Sequence, residues 1–123
     1  MIRSRVSEIK HAQKESNLSH KIAQFFLQIK QDEPKLEGLS LSRVSLSPDK
    51  GTCTIFFYCA GGLKEYELIR PTLVLYKHSM RKALAESIPG RYTPNLKFSY
   101  DPHREKQRRV DELLDKLKKE GNE

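Results

Sequence analysis

Two alternating apolar segments on either side of a short turn predict a β-hairpin near the middle of the chain. The segments are residues 39–47 and 52–58, and Pro48-Asp49-Lys50-Gly51 forms the turn between them. In the first segment the apolar phase changes before Val44, which predicts a bulge or a twist at Ser42-Arg43. The hairpin therefore supplies two neighbouring antiparallel strands of the predicted fold.

An amphipathic helix is predicted before the hairpin. Its apolar stripe has the spacing of one helical face and consists of Leu18, Ile22, Phe25, Phe26 and Ile29. The helix is expected to begin earlier, because Val6 and Ile9 also form a helical pair. It is expected to end before Asp32-Glu33-Pro34, where the proline disfavours further helix.

Two further helices are predicted after the hairpin. Gly61-Gly62 ends the second strand, and a helical pattern then covers about residues 63–70. Pro71 interrupts this pattern and suits the first turn of the next helix. The stripe of that helix consists of Leu73, Tyr76, Met80, Ala83 and Leu84. Ile88-Pro89-Gly90 is expected to close it.

A third strand and a last helix complete the predicted order of elements. Leu96, Phe98 and Tyr100 alternate with polar residues, and Asp101-Pro102 then suits an N-cap followed by a first helical residue. The last helix has a narrow apolar stripe, at Val110, Leu113, Leu114 and Leu117. We expect one α+β domain over residues 1–123, with its helices on one face of a three-stranded sheet. We also expect a basic, charged C-terminal helix at about 102–123, either ordered or partly disordered in the free protein.

The charge balance favours an anionic partner. The chain of 123 residues contains 23 Lys and Arg against 16 Asp and Glu, a formal net charge of +7. Nucleic acid is the commonest partner of such a surface, so we favour it over the alternative, a charged surface that serves only solubility.

Cysteine usage and hydropathy indicate a reducing, aqueous compartment. Cys53 and Cys59 lie in one predicted strand, about 20 Å apart at ~3.3 Å per residue, too far for a disulfide. The N-terminal residues lead into no apolar segment, and no stretch approaches the ~18 apolar residues of a membrane span. We therefore expect a cytoplasmic protein without membrane attachment.

Three segments of the chain match motifs of one known family. Arg91-Tyr92-Thr93-Pro94-Asn95-Leu96-Lys97-Phe98-Ser99-Tyr100-Asp101 resembles the Arg-x-x-Pro-Glu-Leu-x-Phe-x-x-Asp motif of the ribosome-binding factor A family. Val44-Ser45-Leu46-Ser47-Pro48-Asp49 is similar to its Val-x-Val-Ser-x-Asp, and Asp32-Glu33-Pro34-Lys35-Leu36 to its Asp-Pro-Arg-Leu. The likeness covers roughly residues 5–116.

The resemblance implies a KH-like domain of the second topological type, α-β-β-α-α-β, with an additional C-terminal helix. It implies binding to the small (30S) ribosomal subunit and its 16S ribosomal RNA, with a role in late maturation, 5′-end processing and growth in the cold. We expect a monomer that is not an enzyme and uses no cofactor, metal or small-molecule substrate. The alternative is a protein-interaction module that uses an exposed face of the sheet and makes no contact with RNA.

The chain departs from the family pattern at two places. Tyr76-Lys77-His78 stands where the family has an Ala-x-Gly kink, so the glycine that would bend the helix or admit a phosphate is missing. Lys77 and His78 add hydrogen-bond donors there. Asn95 replaces the usual Glu, a mild change on the polar side of the third strand.

The candidate RNA-binding residues are basic side chains that could neutralise phosphates. They are Arg70, Lys77, His78, Arg81, Lys82, Arg91, Arg104 and Arg108. The spacing of Arg70, Lys77 and Arg81 predicts one shared helical face. We therefore expect that changing Lys77 and Arg81 to Glu preserves the fold and weakens binding to the small subunit. For any single residue, a solvated surface position is an equally good interpretation.

The aromatic residues of the second strand allow two interpretations. Cys53, Ile55 and Phe57 point to one face, whereas Phe56 and Tyr58 point to the other. Phe56 and Tyr58 could stack with unpaired bases, but packing under the C-terminal segment is the preferred interpretation. The four histidines, His11, His20, His78 and His103, show no metal-ligand spacing, and we find no catalytic motif.

Overall fold

The computed structural model describes residues 2–88 and 93–121, and these form the predicted order of elements. The elements are α1 (Ile2–Asp32), a 3-10 turn (Pro34–Leu36), β1 (Leu39–Leu46), β2 (Thr52–Cys59), α2 (Gly62–Val74), α3 (Lys77–Ser87), β3 (Asn95–Tyr100) and α4 (Pro102–Gly121). The closing segment Pro89-Gly90 and the candidate Arg91 lie outside the described residues.

The three strands form one mixed sheet in the order β1-β2-β3. β1 pairs with β2 in an antiparallel arrangement, and β2 pairs with β3 in a parallel one. The register shifts between Leu41 and Arg43, which confirms the predicted bulge. Because one extra residue enters β1 there, Val44 and Leu46 turn toward the same side as Ile55 and Cys53, their respective partners across the hairpin.

The helices α1, α2 and α3 cover one face of the sheet and enclose the core. Leu18, Ile22 and Phe26 of α1 are buried there, as their spacing predicts. α1 is also tied to the end of β1, because the Glu15 carboxylate accepts a hydrogen bond of 2.9 Å from the Leu46 N–H. Burial of its apolar side chains therefore determines which face of α1 packs on the sheet. The hydrogen bond from Leu46 to Glu15 holds the hairpin against α1.

Phe57 lies at the centre of this core. Its ring centroid is 5.1 Å from that of Phe26, 5.5 Å from that of Phe98 and 6.4 Å from that of Tyr66. Since these rings come from α1, β3 and α2, one β2 side chain joins three elements.

The two cysteines are buried and free, as their spacing predicts. Cys53 and Cys59 both point from β2 into the core. Burial raises the pKa of the Cys53 thiol to about 11. These thiols therefore act as small apolar core groups.

Pro71 lies inside α2, so the predicted break at this residue is wrong. The helix continues for one turn and ends at Val74, because Leu73 becomes fully buried in the core only in that last turn. The break falls at Leu75 and Tyr76, four residues later than predicted. Arg70 consequently belongs to α2, whereas Lys77 and Arg81 belong to α3, and the predicted single face for these residues does not exist.

Gly62, the first residue of α2, has a φ of +79°, in the region that favours glycine. Gly62→Ala is expected to lower the free energy of unfolding by about 1–2 kcal/mol, the cost of this conformation for a residue with a Cβ. Urea titration followed by circular dichroism measures the loss. Gly121→Ala is the control, since a Cβ added there meets no atom within 4 Å, and its midpoint should not fall. Equal midpoints for the Gly62 variant and wild type would contradict the expectation.

Candidate nucleic-acid interface

The corner between α2 and α3 bends without glycine. Leu75 and Tyr76 both keep helical backbone angles, and the Tyr76 N–H donates to the Leu73 carbonyl, three residues back, at 3.1 Å. The Tyr76 carbonyl then accepts from the Met80 N–H at 2.9 Å and starts α3. Positive φ angles among the described residues occur at Lys50 and Gly62. The missing family glycine is therefore not needed for the bend, since a tight helical turn supplies it.

Lys77 and Arg81 contact the protein itself. The Lys77 ammonium lies 5.2 Å from the centroid of the buried Phe98 ring, in a cation–π position. Arg81 donates from Nε to the Pro94 carbonyl at 3.3 Å and from Nη2 to the Thr93 carbonyl at 3.1 Å. Both contacts stabilise the entry to β3. We therefore expect that reversing these two charges disturbs this entry, in contrast to the expectation from the sequence that the fold is unaffected.

Three other candidates at this corner are exposed. Arg70 lies on α2, and His78 and Lys82 lie four residues apart on α3, so that these two share a helical face. Arg70 lies beside the buried phenol of Tyr66; burial raises the pKa of that phenol and the Arg70 charge opposes the rise. None of the ion pairs between described residues involves Arg70, His78 or Lys82. We define these three residues as the corner patch.

The candidates on α4 are held against the sheet. Arg108 donates to the Glu105 carboxylate at 2.7 Å and to the Ala60 carbonyl at 3.1 Å, and it lies 3.6 Å from Glu112. These contacts attach α4 to the end of β2 and engage both terminal nitrogens of Arg108. Arg104 stays exposed, with its guanidinium 5.7 Å from the centroid of the Tyr58 ring.

Asp101 organises the junction of β3, α4 and the β1 bulge. It is 3% exposed, and its Oδ1 caps α4 by accepting from the N–H groups of His103 and Arg104. Its Oδ2 accepts from the Ser42 hydroxyl at 2.6 Å and from Arg43 at 3.3 Å. Burial alone would raise the pKa of Asp101, but these hydrogen bonds and the Arg43 charge hold it below its ordinary value. The sequence predicts the cap, whereas the two contacts to the bulge appear only in three dimensions.

A second carboxylate fixes the first turn of α4. Glu105 accepts a 2.6 Å hydrogen bond from the Tyr100 hydroxyl. This bond, with help from Arg108, lowers the pKa of Glu105. Burial and the same carboxylate raise the pKa of Tyr100. The start of α4 is therefore set by β3 as well as by its own cap.

The sheet face away from α1–α3 carries Phe56 and Tyr58, as predicted. Tyr58 lies beside α4, in agreement with the packing interpretation. Phe56 instead lies under Arg43, whose guanidinium carbon is 3.9 Å from the ring centroid. Arg43 was not among the basic residues predicted to bind RNA, although the predicted bulge was the signal that places it across from Phe56.

The described residues contain no group of three or more metal-ligating side chains that could hold an ion. Within the same residues, no helix has the length and apolar character that crossing a membrane requires.

The element order and the mixed sheet define a small α+β domain of the KH-like class. A ribosome-binding factor A from Thermus thermophilus superposes with a TM-score of 0.62 at 21% identity, over 73% of this chain and 93% of that one. A Thermotoga maritima protein assigned to the same family gives a TM-score of 0.62 at 23% identity, over 72% and 83%.

Sequence comparison gives the family. A family model described as ribosome-binding factor A matches residues 10–114. The ribosome-binding factor A of Coxiella burnetii is 29% identical over 112 residues, 90% of this chain and 93% of the relative. That of Halothermothrix orenii is 31% identical over 88 residues, 72% of each chain. The chain belongs to the ribosome-binding factor A family.

Proposed function

We propose that this chain is a ribosome assembly factor that binds the small (30S) ribosomal subunit and its 16S ribosomal RNA. In this proposal it assists late maturation and 5′-end processing, including in the cold, as a single-domain cytoplasmic monomer without catalytic activity. The family match over residues 10–114 carries the proposal, since the name of the relatives describes ribosome binding. The net charge of +7 supports RNA as the contacted component.

The corner patch supplies the main contact in this proposal. Arg70, His78 and Lys82 are exposed, and each has donors that can reach phosphate oxygens. Arg91 is a further candidate, and Arg104, which lies over the Tyr58 ring on the opposite face of the sheet, is a candidate apart from the corner patch. Lys77 and Arg81 act differently, because their contacts hold α3, which presents His78 and Lys82, against β3 and the residues before it. Arg108 is engaged in attaching α4 to the end of β2.

Binding would act by selection of an RNA conformer. A protein that has higher affinity for the mature arrangement of an RNA segment shifts the population toward that arrangement. This mechanism requires a stable cationic surface and no reacting group.

Reversing two charges of the corner patch tests the proposal. Arg70→Glu/Lys82→Glu is expected to weaken binding to isolated small subunits roughly tenfold or more near ~150 mM salt, and to flatten its salt dependence. Co-sedimentation with small and large subunits, over a salt series, measures the effect. Lys116→Glu/Lys119→Glu is the matched control, since it changes the net charge equally at exposed positions of α4.

The outcomes separate the proposal from its alternatives. Unchanged sedimentation of the corner variant, with an unchanged circular dichroism spectrum, would remove the corner patch as the contact. Equal losses in both double variants would mean that net charge alone matters. The protein-interaction alternative would be favoured if the wild-type protein never sediments with small subunits, or if its binding does not depend on salt concentration.

A further inference from the structure

We propose that the sheet face opposite α1–α3 is a second RNA site, which stacks unpaired bases of single-stranded RNA on Arg43 and Phe56. In the strand register, two rows of side chains on this open face span all three strands. One row is Arg43, Phe56 and Ser99, and the other is Ser45, Thr54 and Lys97. The corner patch lies on the helices that cover the other face, so the two sites are separate and either can fail alone.

The charge of the open face fits a phosphate backbone. Arg43 and Lys97 are its cations, both are exposed, and the two rows contain no acidic side chain. Its other polar groups are hydroxyls, which can donate to phosphate or ribose oxygens. A strand that crosses these rows would therefore meet an exposed cation at Lys97, whereas Arg43, paired with Asp101, offers mainly its planar guanidinium group.

The stacking surface is already assembled. The Arg43 guanidinium carbon lies 3.9 Å from the Phe56 centroid, and Arg43 Nε is held 3.3 Å from the Asp101 carboxylate. The Arg43 side chain remains 47% exposed, so about half of its surface is open to a ligand. Aromatic rings and guanidinium planes are the surfaces on which proteins stack unpaired bases. Because Asp101 fixes the guanidinium beforehand, little side-chain freedom is lost on binding.

Tyr58 gives the site a direction. It lies two residues beyond Phe56 on the same face, about 6.6 Å along the strand, and offers a second ring. The groove beside it is lined by three carboxylates and two guanidinium groups of α4, those of Asp111, Glu112, Asp115, Arg104 and Arg108. Because Arg108 is already paired with Glu105 and Glu112, the groove offers a phosphate little net attraction, so the RNA path is expected to run from Lys97 across Phe56 and to end at Tyr58.

Single-stranded RNA fits this face better than an acidic peptide. A peptide carboxylate would use the two cations but would gain nothing from the flat stack of Arg43 on Phe56. Duplex RNA is also a poor ligand, because its bases are already stacked on one another and cannot reach the ring.

Removing the ring of Phe56 tests the inference. Phe56→Leu is expected to weaken binding of a fluorescent eight-nucleotide oligouridine roughly 5- to 150-fold, the range for loss of one stacked base. Phe56→Tyr keeps the ring and should stay within about twofold of wild type. Fluorescence anisotropy measures the affinities, a hairpin duplex and an oligoglutamate serve as competitors, and thermal unfolding verifies that each variant is folded.

Each outcome decides for or against the open face. A folded Phe56→Leu variant with wild-type affinity overturns the inference, as do an absence of oligouridine binding at low salt and better competition by the duplex or oligoglutamate. The corner variant Arg70→Glu/Lys82→Glu should keep most of its affinity for oligouridine, although its binding to small subunits is weakened. Failure of the open face and failure of the proposed function therefore give different results.

Discussion

Phe57→Ala is expected to lower the free energy of unfolding by about 3–5 kcal/mol, the range measured for truncating a buried aromatic residue. Phe57 is 0% exposed and its ring contacts those of Phe26, Phe98 and Tyr66. Alanine would leave a cavity between α1, α2 and β3 that rigid neighbours cannot fill. Urea unfolding followed by circular dichroism measures the loss. The free energy of unfolding of Phe57→Leu, which keeps most of the side-chain volume, should lie between those of Phe57→Ala and wild type.

The adjacent residue provides a matched control. Phe56 is the same residue type on the same strand, but it points to the open face and is only half-buried. Phe56→Ala should cost about 1 kcal/mol or less, mainly through the lost contact with Arg43. A loss as large as that of Phe57→Ala would contradict the assignment of the two faces. The pair also separates stability from function, since only the Phe56 change is expected to weaken RNA stacking.

The elements that sequence predicts correctly have local causes. Alternation along residues 52–58 assigns the two faces of β2 without any other information. The changed phase before Val44 predicts the bulge, because side chains alternate with a strict period of two. Asp101 followed by Pro102 predicts the start of α4 from capping chemistry.

Features that sequence misses depend on distant contacts. Pro71 weakens α2 locally, but burial of Leu73 against the sheet keeps the helix intact for another turn. Helical spacing placed Lys77 and Arg81 among the free cations, although their partners lie on or before β3. Sequence periodicity does not relate residues that far apart. Which basic side chains remain available to bind a ligand therefore depends on the tertiary structure.

The residues of the family motif before α4 stabilise the fold rather than bind a ligand. Pro94, Leu96, Phe98 and Asp101, its matching residues within the described chain, are all buried. A likeness carried by such positions is strong evidence for the KH-like domain. It identifies few ligand-binding residues, because the exposed residues on β3, Asn95 and Lys97, stand at positions where the motif is changed or open.

Asp101→Ala is expected to cause the second-largest loss in the free energy of unfolding, after Phe57→Ala. It removes the cap of α4, worth ~0.5–2 kcal/mol, and leaves the Ser42 hydroxyl and the Arg43 guanidinium without their acceptor, so the total loss should be about 2–4 kcal/mol. The start of α4 should loosen first, since it also loses the anchor to the bulge. Urea midpoints give the stability, and amide hydrogen exchange at His103 and Arg104 reports on the cap.

The pH dependence of stability distinguishes the charge of Asp101 from its shape. Its folded pKa is depressed, so its contribution is present above the unfolded value of ~3.9 and is lost as pH falls through the folded value. Asp101→Asn keeps an oxygen for the cap but never ionises. The loss of stability between pH 7 and pH 3 should therefore be smaller for Asp101→Asn than for wild type, while other carboxylates contribute equally to both. Identical losses would show that the carboxylate charge does not anchor the junction.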